Sequence, residues 1–280
     1  MAQSSIRPLS VGNVVSSAFV LYRSHFKLYL GLAFKSLLWS LIPIYGWAKA
    51  AMISAQISRL GFGDLINQPE TAKSAENHLK PRMWTFLGAA ILVGLVLFAI
   101  NFGLSIVSNI LQFAVTGILG NNNSLAVLLG LVIILVTWFV QLWFQARYFI
   151  PELPIAIENV DATTTISRTW ELTKGAGVRI QIILLVAYLI SAPLIFIASI
   201  PLFFLMGYLV ALGIQAGTSS AASDAGGVLI GLIFAFIVLV VLMGTLIMPF
   251  WQAVKAVIYY DLRSRREGMG LQVRDRNFEV

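Results

Sequence analysis

The side chains most able to do chemistry form rows of amides and hydroxyls inside otherwise apolar stretches. They are Asn101, Ser105, Asn109 and Gln112 on one stretch, and Gln141 and Gln145 on the next. Their spacing of three or four residues puts each row on one face of a helix. Such rows would line a solute path or supply hydrogen bonds between packed helices. We favour packing, because carboxylates and histidines usually mark ion and proton pathways in membranes.

Groups suited to other kinds of catalysis are scarce in this sequence. Its two histidines, His25 and His78, lie outside the longest apolar runs, and it has no cysteine, which excludes thiolate chemistry and cysteine-ligated metals. Carboxylates such as those of Glu152, Glu158 and Asp261 lie in segments that also carry basic residues, a pattern typical of a solvated face. We therefore expect neither an enzyme nor a bound metal or cofactor.

The composition identifies the elements that must position these residues. Hydrophobic residues make up 59% of the 280 positions and charged residues 11%, compared with about 25% charged residues in soluble domains. Residues 83–146 contain no Asp, Glu, Lys, Arg or His, and 180–254 contain only Asp224. This composition excludes a soluble globular enzyme and a disordered chain. We expect an all-α, polytopic helical membrane protein with about six membrane segments and interfacial amphipathic helices.

The distribution of basic residues predicts the orientation of the chain. Turn-like breaks at 120–124 and 217–227 interrupt the two apolar runs and lack Lys and Arg, whereas the flanking polar segments and the C-terminus are basic. The positive-inside rule places both polar segments and the C-terminus in the cytoplasm, in a bacterial inner membrane or a thylakoid membrane. The net charge of +7 fits contact with anionic lipid headgroups, and we expect no nucleic-acid partner.

The chain divides into the segments of one integral membrane domain, residues 1–280. They are an N-terminal amphipathic segment (1–27), a first hairpin or single span (28–58), a cytoplasmic segment (59–84), a helical hairpin (85–150), a cytoplasmic or interfacial segment (151–178), a kinked helical hairpin (179–257) and a basic cytoplasmic tail (258–280). Each of the two later hairpins is long enough to cross a bilayer twice, at about 20 residues per crossing.

Two parts of this division have more than one solution. Segment 28–58 either turns at Pro43 as a shallow hairpin or crosses the membrane once. We favour the hairpin, because a single crossing would put a basic N-terminus outside. The arm 179–215 would be roughly 55 Å long as a straight helix. Pro193 and Pro201 therefore predict a kink, a break or a short re-entrant piece within it.

Two amphipathic stretches each precede a long apolar run. Residues 11–26 and 161–175 have apolar positions at helical spacing, with Ser10 and Asp161 as candidate N-caps. The apolar face of the first stretch comprises Val11, Val14, Val15, Ala18, Phe19, Tyr22 and Phe26. The face of the second comprises Ile166, Trp170 and Thr173. We expect both to be elbows packed on the bundle, the alternative being helices that sense the bilayer.

Basic residues near the ends of apolar stretches are candidates for contact with lipid headgroups or a partner. Lys35 and Lys49 are expected to reach the same membrane interface by extending their side chains toward it. Arg263, Arg265 and Arg266 are expected to face headgroups or the negative end of the last helix dipole.

Two motifs resemble those of a known family. Arg168-Thr-Trp-Glu-Leu-Thr-Lys-Gly175, which follows Glu158-Asn159, is similar to the family pattern R-S-W-x-L-T-K-G, and Tyr259–Gly268 is similar to Y-x-D-L-R-x-R-x-E-G. The family comprises bacterial multi-pass proteins of unassigned role that resemble the membrane domain of glycerophosphoryl diester phosphodiesterases. The resemblance implies an all-helical membrane domain with about six segments. No catalytic residue carries over, because the soluble phosphodiesterase barrel has no room in this chain. Met269-Gly270 departs from the family's usual Asp-Leu.

These observations predict a non-enzymatic integral membrane protein that acts as a scaffold, assembly factor or accessory subunit. Its expected partners are membrane lipids with anionic headgroups, together with another membrane protein or a second copy of the chain. The alternative is a transporter or lipid-handling protein that uses the polar rows and the proline-containing arm, since interrupted helices often frame binding sites.

Overall fold

The computed structural model describes residues 9–120, 123–215 and 222–267. These residues form ten α-helices, a 3-10 turn and no strand, so the predicted all-α class is confirmed. In chain order the helices are α1 (Val11–Ser24), α2 (Phe26–Ser40), α3 (Tyr45–Leu65), α4 (Ala72–Leu79), α5 (Met83–Leu119), α6 (Ser124–Arg147), α7 (Glu152–Ile157), α8 (Ala162–Thr173), α9 (Gly177–Gln215) and α10 (Ala222–Glu267). Part of the predicted break at 217–227 and most of the predicted basic tail lie outside the described residues.

A short, capped helix precedes each of three helical hairpins. The helices α1, α4 and α8 come before the hairpins α2–α3, α5–α6 and α9–α10. In each short helix the residue before the first turn accepts a hydrogen bond from a backbone N–H three positions on. The pairs are Ser10–Asn13 at 3.2 Å, Thr71–Ser74 at 3.2 Å and Asp161–Thr164 at 3.0 Å. The caps predicted at Ser10 and Asp161 are confirmed, and each such cap stabilises its helix by about 1 kcal/mol.

The first hairpin has a tight turn. Pro43 lies between α2 and α3, and the Ser36 hydroxyl donates to the carbonyl of Ala50 at 3.0 Å across the two helices. A Cβ atom at Gly46 would lie 2.0 Å from the carbonyl oxygen of Trp39. Glycine is therefore required at Gly46 for the chain to reverse within so few residues.

Helix α3 is the centre of the packed core. It packs against α2, α5 and α10, and Ala48, Met52 and Ile57 on it are buried. The Ser58 hydroxyl donates to the side-chain oxygen of Gln252 on α10 at 2.7 Å. The buried polar pair is thus satisfied, as a buried hydrogen-bonding group must be.

Four helices are long and apolar enough to cross a membrane: α5, α6, α9 and α10. The expected count of about six membrane segments is therefore not supported. Helix α2 has 15 residues and, at about 1.5 Å per residue, is shorter than the ~30 Å hydrocarbon core. Helix α3 carries Lys49, Arg59 and Asp64 and is largely enclosed by other helices. The four apolar helices fit a membrane-embedded protein.

Helix α9 is continuous from Gly177 to Gln215, although Pro193 and Pro201 lie inside it. The predicted break and the predicted re-entrant piece are therefore wrong. Proline removes one N–H donor and distorts the helix locally, but the flanking turns keep their helical geometry. The long apolar arm is one helix rather than two.

Helix α1 buries only part of its predicted apolar face. Its buried residues are Val14, Val15, Ala18 and Leu21, and they pack against α9 and α10. Phe19 and Phe26, which belong to the predicted face, are 50% and 41% exposed. The face is therefore rotated toward Leu21, and two aromatic rings remain on the outside of the molecule.

The buried face of helix α8 shares only Thr173 with the predicted one. Its buried residues are Thr165, Thr169, Leu172 and Thr173, whereas Ile166 and Trp170 are half-buried. The Thr173 hydroxyl donates to the carbonyl of Arg147 at 3.2 Å. Thr165 and Thr173 are tolerated in this core because backbone carbonyls accept hydrogen bonds from their hydroxyls, a compensation that hydrophobic periodicity does not reveal. The buried hydroxyl of Thr169 has no such partner.

Candidate functional site

The carboxylate of Glu158, at the end of α7, lies at the centre of a partly buried ion-pair network. Arg168 donates to both of its oxygens, at 2.7 and 3.2 Å, and the Tyr259 hydroxyl donates to it as well. Arg263 lies 3.9 Å away, and the Glu158 side chain is only 16% exposed. The two family-like motifs therefore contact each other through this one carboxylate.

A second network surrounds Asp261, whose side chain is 5% exposed. Arg179 lies 2.7 Å and Arg265 3.0 Å from the carboxylate, and the backbone N–H of Leu9 donates to it at 3.0 Å. Both arginines also donate to the carbonyl of Leu9. The cluster thus joins the segment before α1 to α9 and α10.

Two further pairs connect the remaining short elements. Lys255 on α10 donates to Glu152 on α7, and Arg59 on α3 lies 2.6 Å from Glu70. We use "ion-pair junction" for these pairs together with the networks of Glu158 and Asp261. Because charges taken out of water need partners, the pairing keeps this charge-rich end of the molecule folded.

The expectation of a solvated acidic face is wrong for three carboxylates. Glu152, Glu158 and Asp261 are 14%, 16% and 5% exposed and have cationic partners. Glu171 is 68% exposed, as expected, and so is Asp161. Hydrogen bonds from Thr164 hold the pKa of the Asp161 carboxyl below its ordinary value. Mixed charge in a sequence does not distinguish a solvated face from a buried junction whose pairs are distant in sequence.

The predicted headgroup residues at the end of α10 have different surroundings. Arg263 and Arg265 belong to the ion-pair junction, and their side chains are 22% and 37% exposed. Arg266 is exposed and donates to the backbone carbonyl of Lys174. Contact of these residues with lipid or a partner therefore stays a prediction.

The two predicted lysines lie on adjacent helices of the first hairpin. Lys35 on α2 is exposed, and the ammonium of Lys49 on α3 lies 4.2 Å from the centre of the Trp39 ring. Because Ser36 and Ala50 are hydrogen-bonded across the hairpin, the two lysines are at nearly the same level. A shared interface remains a prediction that this geometry permits.

The polar row on α5 makes hydrogen bonds within its own helix. Asn101 donates to the Leu97 carbonyl at 2.7 Å, and Asn109 donates to Ser105 at 3.4 Å. Gln112 donates to the hydroxyl of Ser108 at 3.1 Å. On α6, the side chains of Gln141 and Gln145 are half-buried. No hydrogen bond among the described residues joins the two rows, so neither a polar path nor packing between them is established.

A buried arginine at the end of α6 escaped the sequence reasoning. Arg147 is 3% exposed and lies over the Trp170 ring, 3.8 Å from its centre. It donates to the Trp170 carbonyl at 2.9 Å, and its Nε has no hydrogen-bond partner. The only signal in the sequence was a basic residue beside tryptophans, which also fits an ordinary membrane boundary.

An apolar groove of about 500 Å³ lies between α6 and α9. Trp138 and Leu142 line it from α6, and seven residues line it from α9. The α9 residues are Leu185, Tyr188, Leu189, Ala192, Ile195, Phe196 and Ser199. The groove follows the helix past Pro193, in the arm that the sequence suggested as a binding region.

No known protein family, curated protein or solved structure matches this chain. The function of the protein is therefore inferred from its own residues.

Proposed function

We propose that the protein is a non-enzymatic membrane scaffold or accessory subunit that binds a transmembrane helix of another membrane protein along α5. The observation that carries the proposal is polar side chains on a lipid-facing surface. Ser105 and Asn109 are exposed on α5, in a candidate span whose most apolar 18 residues are only 6% buried. Polar groups in hydrocarbon are costly unless another helix hydrogen-bonds to them.

A partner helix would satisfy these groups better than lipid. The bond from Asn109 to Ser105 is long, at 3.4 Å, and an asparagine amide has further donor and acceptor positions. A Ser, Asn or Gln on a neighbouring helix would complete them, at about 0.6–2 kcal/mol per hydrogen bond. Lipid tails offer no such partner, which favours protein over lipid at this surface.

The ion-pair junction supports a structural rather than a catalytic role. The carboxylates of Glu152, Glu158 and Asp261 each have a cation in contact. A catalytic acid or base needs access to substrate, whereas these groups hold α7, α9 and α10 together. Such an arrangement suits a rigid support for exposed membrane helices.

Site-specific photo-crosslinking in the native membrane tests this proposal. A photoreactive residue would replace Ser105 in one variant and Val107, on the opposite side of α5, in the control. A protein crosslink at 105 that is absent at 107 supports the partner helix. Lipid adducts alone at both positions would overturn it, and a crosslink to a second copy would replace the proposed partner with self-association.

Lipid handling is a second candidate function, favoured by the groove between α6 and α9. Its volume of about 500 Å³ lies within the roughly 300–1,000 Å³ of small-molecule sites. Its lining is apolar apart from Ser199 and the polar edges of Trp138 and Tyr188, which suits an acyl chain.

A further inference from the structure

Three cations at the ends of α6, α8 and α10 lack the carboxylate partners that the ion-pair junction provides elsewhere. They are Arg147 at the end of α6, Lys174 after α8 and Arg266 near the end of α10. Among the described residues, no carboxylate forms an ion pair with any of them. We call this set the cation cluster. Its excess positive charge favours the binding of an anion from solvent or from the membrane.

The members of the cation cluster are close together. Arg266 donates to the backbone carbonyl of Lys174, and the hydroxyl of the preceding residue, Thr173, donates to the backbone carbonyl of Arg147 at 3.2 Å. Like charges that lie close together repel each other. Burial of the Arg147 guanidinium adds the free-energy cost of removing its charge from water. A bound anion would remove both penalties and would accept a hydrogen bond from the unpartnered Nε of Arg147.

The start of α9 completes the surroundings of Arg147. Gly177 is the first residue of this 39-residue helix, and its backbone lies against Trp143 and Arg147. A Cβ atom at Gly177 would be 2.8 Å from the indole nitrogen of Trp143 and 3.4 Å from Cδ of Arg147. The first N–H groups of a helix lack partners within it, and they form the positive end of its dipole, which favours phosphate at this position.

A buried amide lies on α9 one turn before Leu185, the first residue of that helix to line the groove. Gln181, one turn after Gly177, is 2% exposed. Its nitrogen donates to the carbonyl of Phe139 at 3.0 Å, whereas its oxygen has no hydrogen-bond partner. The groove begins at Leu142 and Leu185, within about one turn of these groups, and continues along α9. Gln181 thus lies one helical turn from Gly177 in one direction and one turn from the start of the groove in the other.

We propose that this region binds one anionic glycerophospholipid. The phosphate lies at the cation cluster and the start of α9, and one acyl chain occupies the groove between α6 and α9. A hydroxyl of the headgroup or backbone donates to the free oxygen of Gln181. Arginine and lysine supply phosphate contacts, and Trp143, Tyr148 and Trp170 lie where aromatic side chains commonly meet headgroups. This inference does not depend on the partner helix proposed for α5.

Lipid binding to the purified full-length protein tests the charge part of the proposal. The probes are phosphatidylglycerol, phosphatidylcholine and inorganic phosphate, measured by native mass spectrometry. Lys174→Ala with Arg266→Ala changes two exposed side chains, and Lys73→Ala with Lys80→Ala is a control of equal charge. We expect the first pair to weaken phosphatidylglycerol binding about fivefold per cation and the control to leave it unchanged. Equal effects of the two pairs would overturn the phosphate site.

Blocking the groove tests whether an acyl chain occupies it. It also distinguishes binding of a lipid from binding of free phosphate. Ala192→Phe places a ring in the groove, and Ala211→Phe makes the same change at an exposed position outside its lining. We expect only the first to weaken binding of both lipids, with no effect on inorganic phosphate. If Ala192→Phe left phosphatidylglycerol binding unchanged, or inorganic phosphate bound as tightly as the lipid, the lipid site would be excluded.

Discussion

Single residues determine how the charge-rich end of this protein stays folded. Glu158 accepts hydrogen bonds from Arg168 and Tyr259 and lies near Arg263. One carboxylate thereby joins α7, α8 and α10. Replacing one carboxylate oxygen by an amide nitrogen would leave one of these donors without its acceptor and remove the charge that pairs with Arg168, which costs more than the loss of an exposed ion pair.

Replacing Glu158 is therefore expected to destabilise the protein more than replacing a neighbouring acid. Glu158→Gln should lower the free energy of unfolding by about 2 kcal/mol, a typical value for hydrogen bonds to charged groups. Glu171 also lies near Arg168, at 3.9 Å, but is 68% exposed. Glu171→Gln should cost less than about 0.5 kcal/mol. Unfolding in mixed detergent micelles measures both, and equal losses would refute a central role for Glu158.

Ile44 is a strained residue at the turn of the first hairpin. Its φ of 62° lies in the left-handed region, which costs an L-residue roughly 1–2 kcal/mol. Ile44→Gly is expected to raise the free energy of unfolding by about 1 kcal/mol. Leu41 is similarly exposed but has a φ of −72°, so Leu41→Gly is expected to lower stability. Thermal unfolding in detergent measures the stability of both variants. A lower stability of Ile44→Gly than of the wild type would contradict the proposed strain.

At the scale of helices, the sequence predicted what depends on local patterns. Hydropathy and caps located the long helices and the N-caps at Ser10 and Asp161. The buried partners could not be found this way, because Glu158 and Tyr259 are 101 positions apart and Arg179 and Asp261 are 82 apart. Local patterns carry no information on such pairs. The charge pattern alone therefore predicts a solvated face for Glu152, Glu158 and Asp261, although each is enclosed with a cationic partner.

The cap of α8 is expected to make stability depend on pH. Because hydrogen bonds lower the pKa of Asp161 in the folded protein, its ionised form stabilises the fold above the unfolded pKa of about 4. That contribution is lost as the pH falls through the lower, folded pKa. Asp161→Asn keeps an uncharged cap.

Melting temperatures of the wild type and of Asp161→Asn, measured from neutral to acidic pH, test this expectation. The wild type should lose stability relative to Asp161→Asn only below about pH 4. Asp161→Ala should be less stable than Asp161→Asn at every pH, because it cannot cap. A constant difference between wild type and Asp161→Asn across the range would show that the carboxylate has no such effect.

At the scale of the whole molecule, packing is concentrated at one end. Buried residues are dense in α3, α7 and the charged end of α10, whereas the most apolar 18 residues of the α10 span include none that is buried. The long hairpins thus leave most of their apolar surface to the surrounding membrane. The proposed scaffold needs a rigid, packed end from which exposed apolar helices extend, and the protein has this architecture.

The absence of native cysteine makes the predicted orientation easy to measure. Single cysteines at Asn123, Ser16 and Ser167 occupy exposed positions between α5 and α6, on α1 and on α8. A membrane-impermeant maleimide should label Asn123→Cys in intact cells, and the other two only after permeabilisation. External labelling of Ser16→Cys would instead show that the first segment crosses the membrane once.

The central claim is that polar side chains on α5 bind a partner helix. Native mass spectrometry of protein extracted gently from its own membrane would compare wild type, Asn109→Leu and the opposite-face control Val107→Leu. We expect a stoichiometric complex with a second membrane protein in wild type and Val107→Leu. It should be about tenfold weaker in Asn109→Leu, consistent with loss of roughly 1.4 kcal/mol of interhelical hydrogen bonding. A monomer that carries only lipid, or a complex unaffected by Asn109→Leu, would contradict the claim.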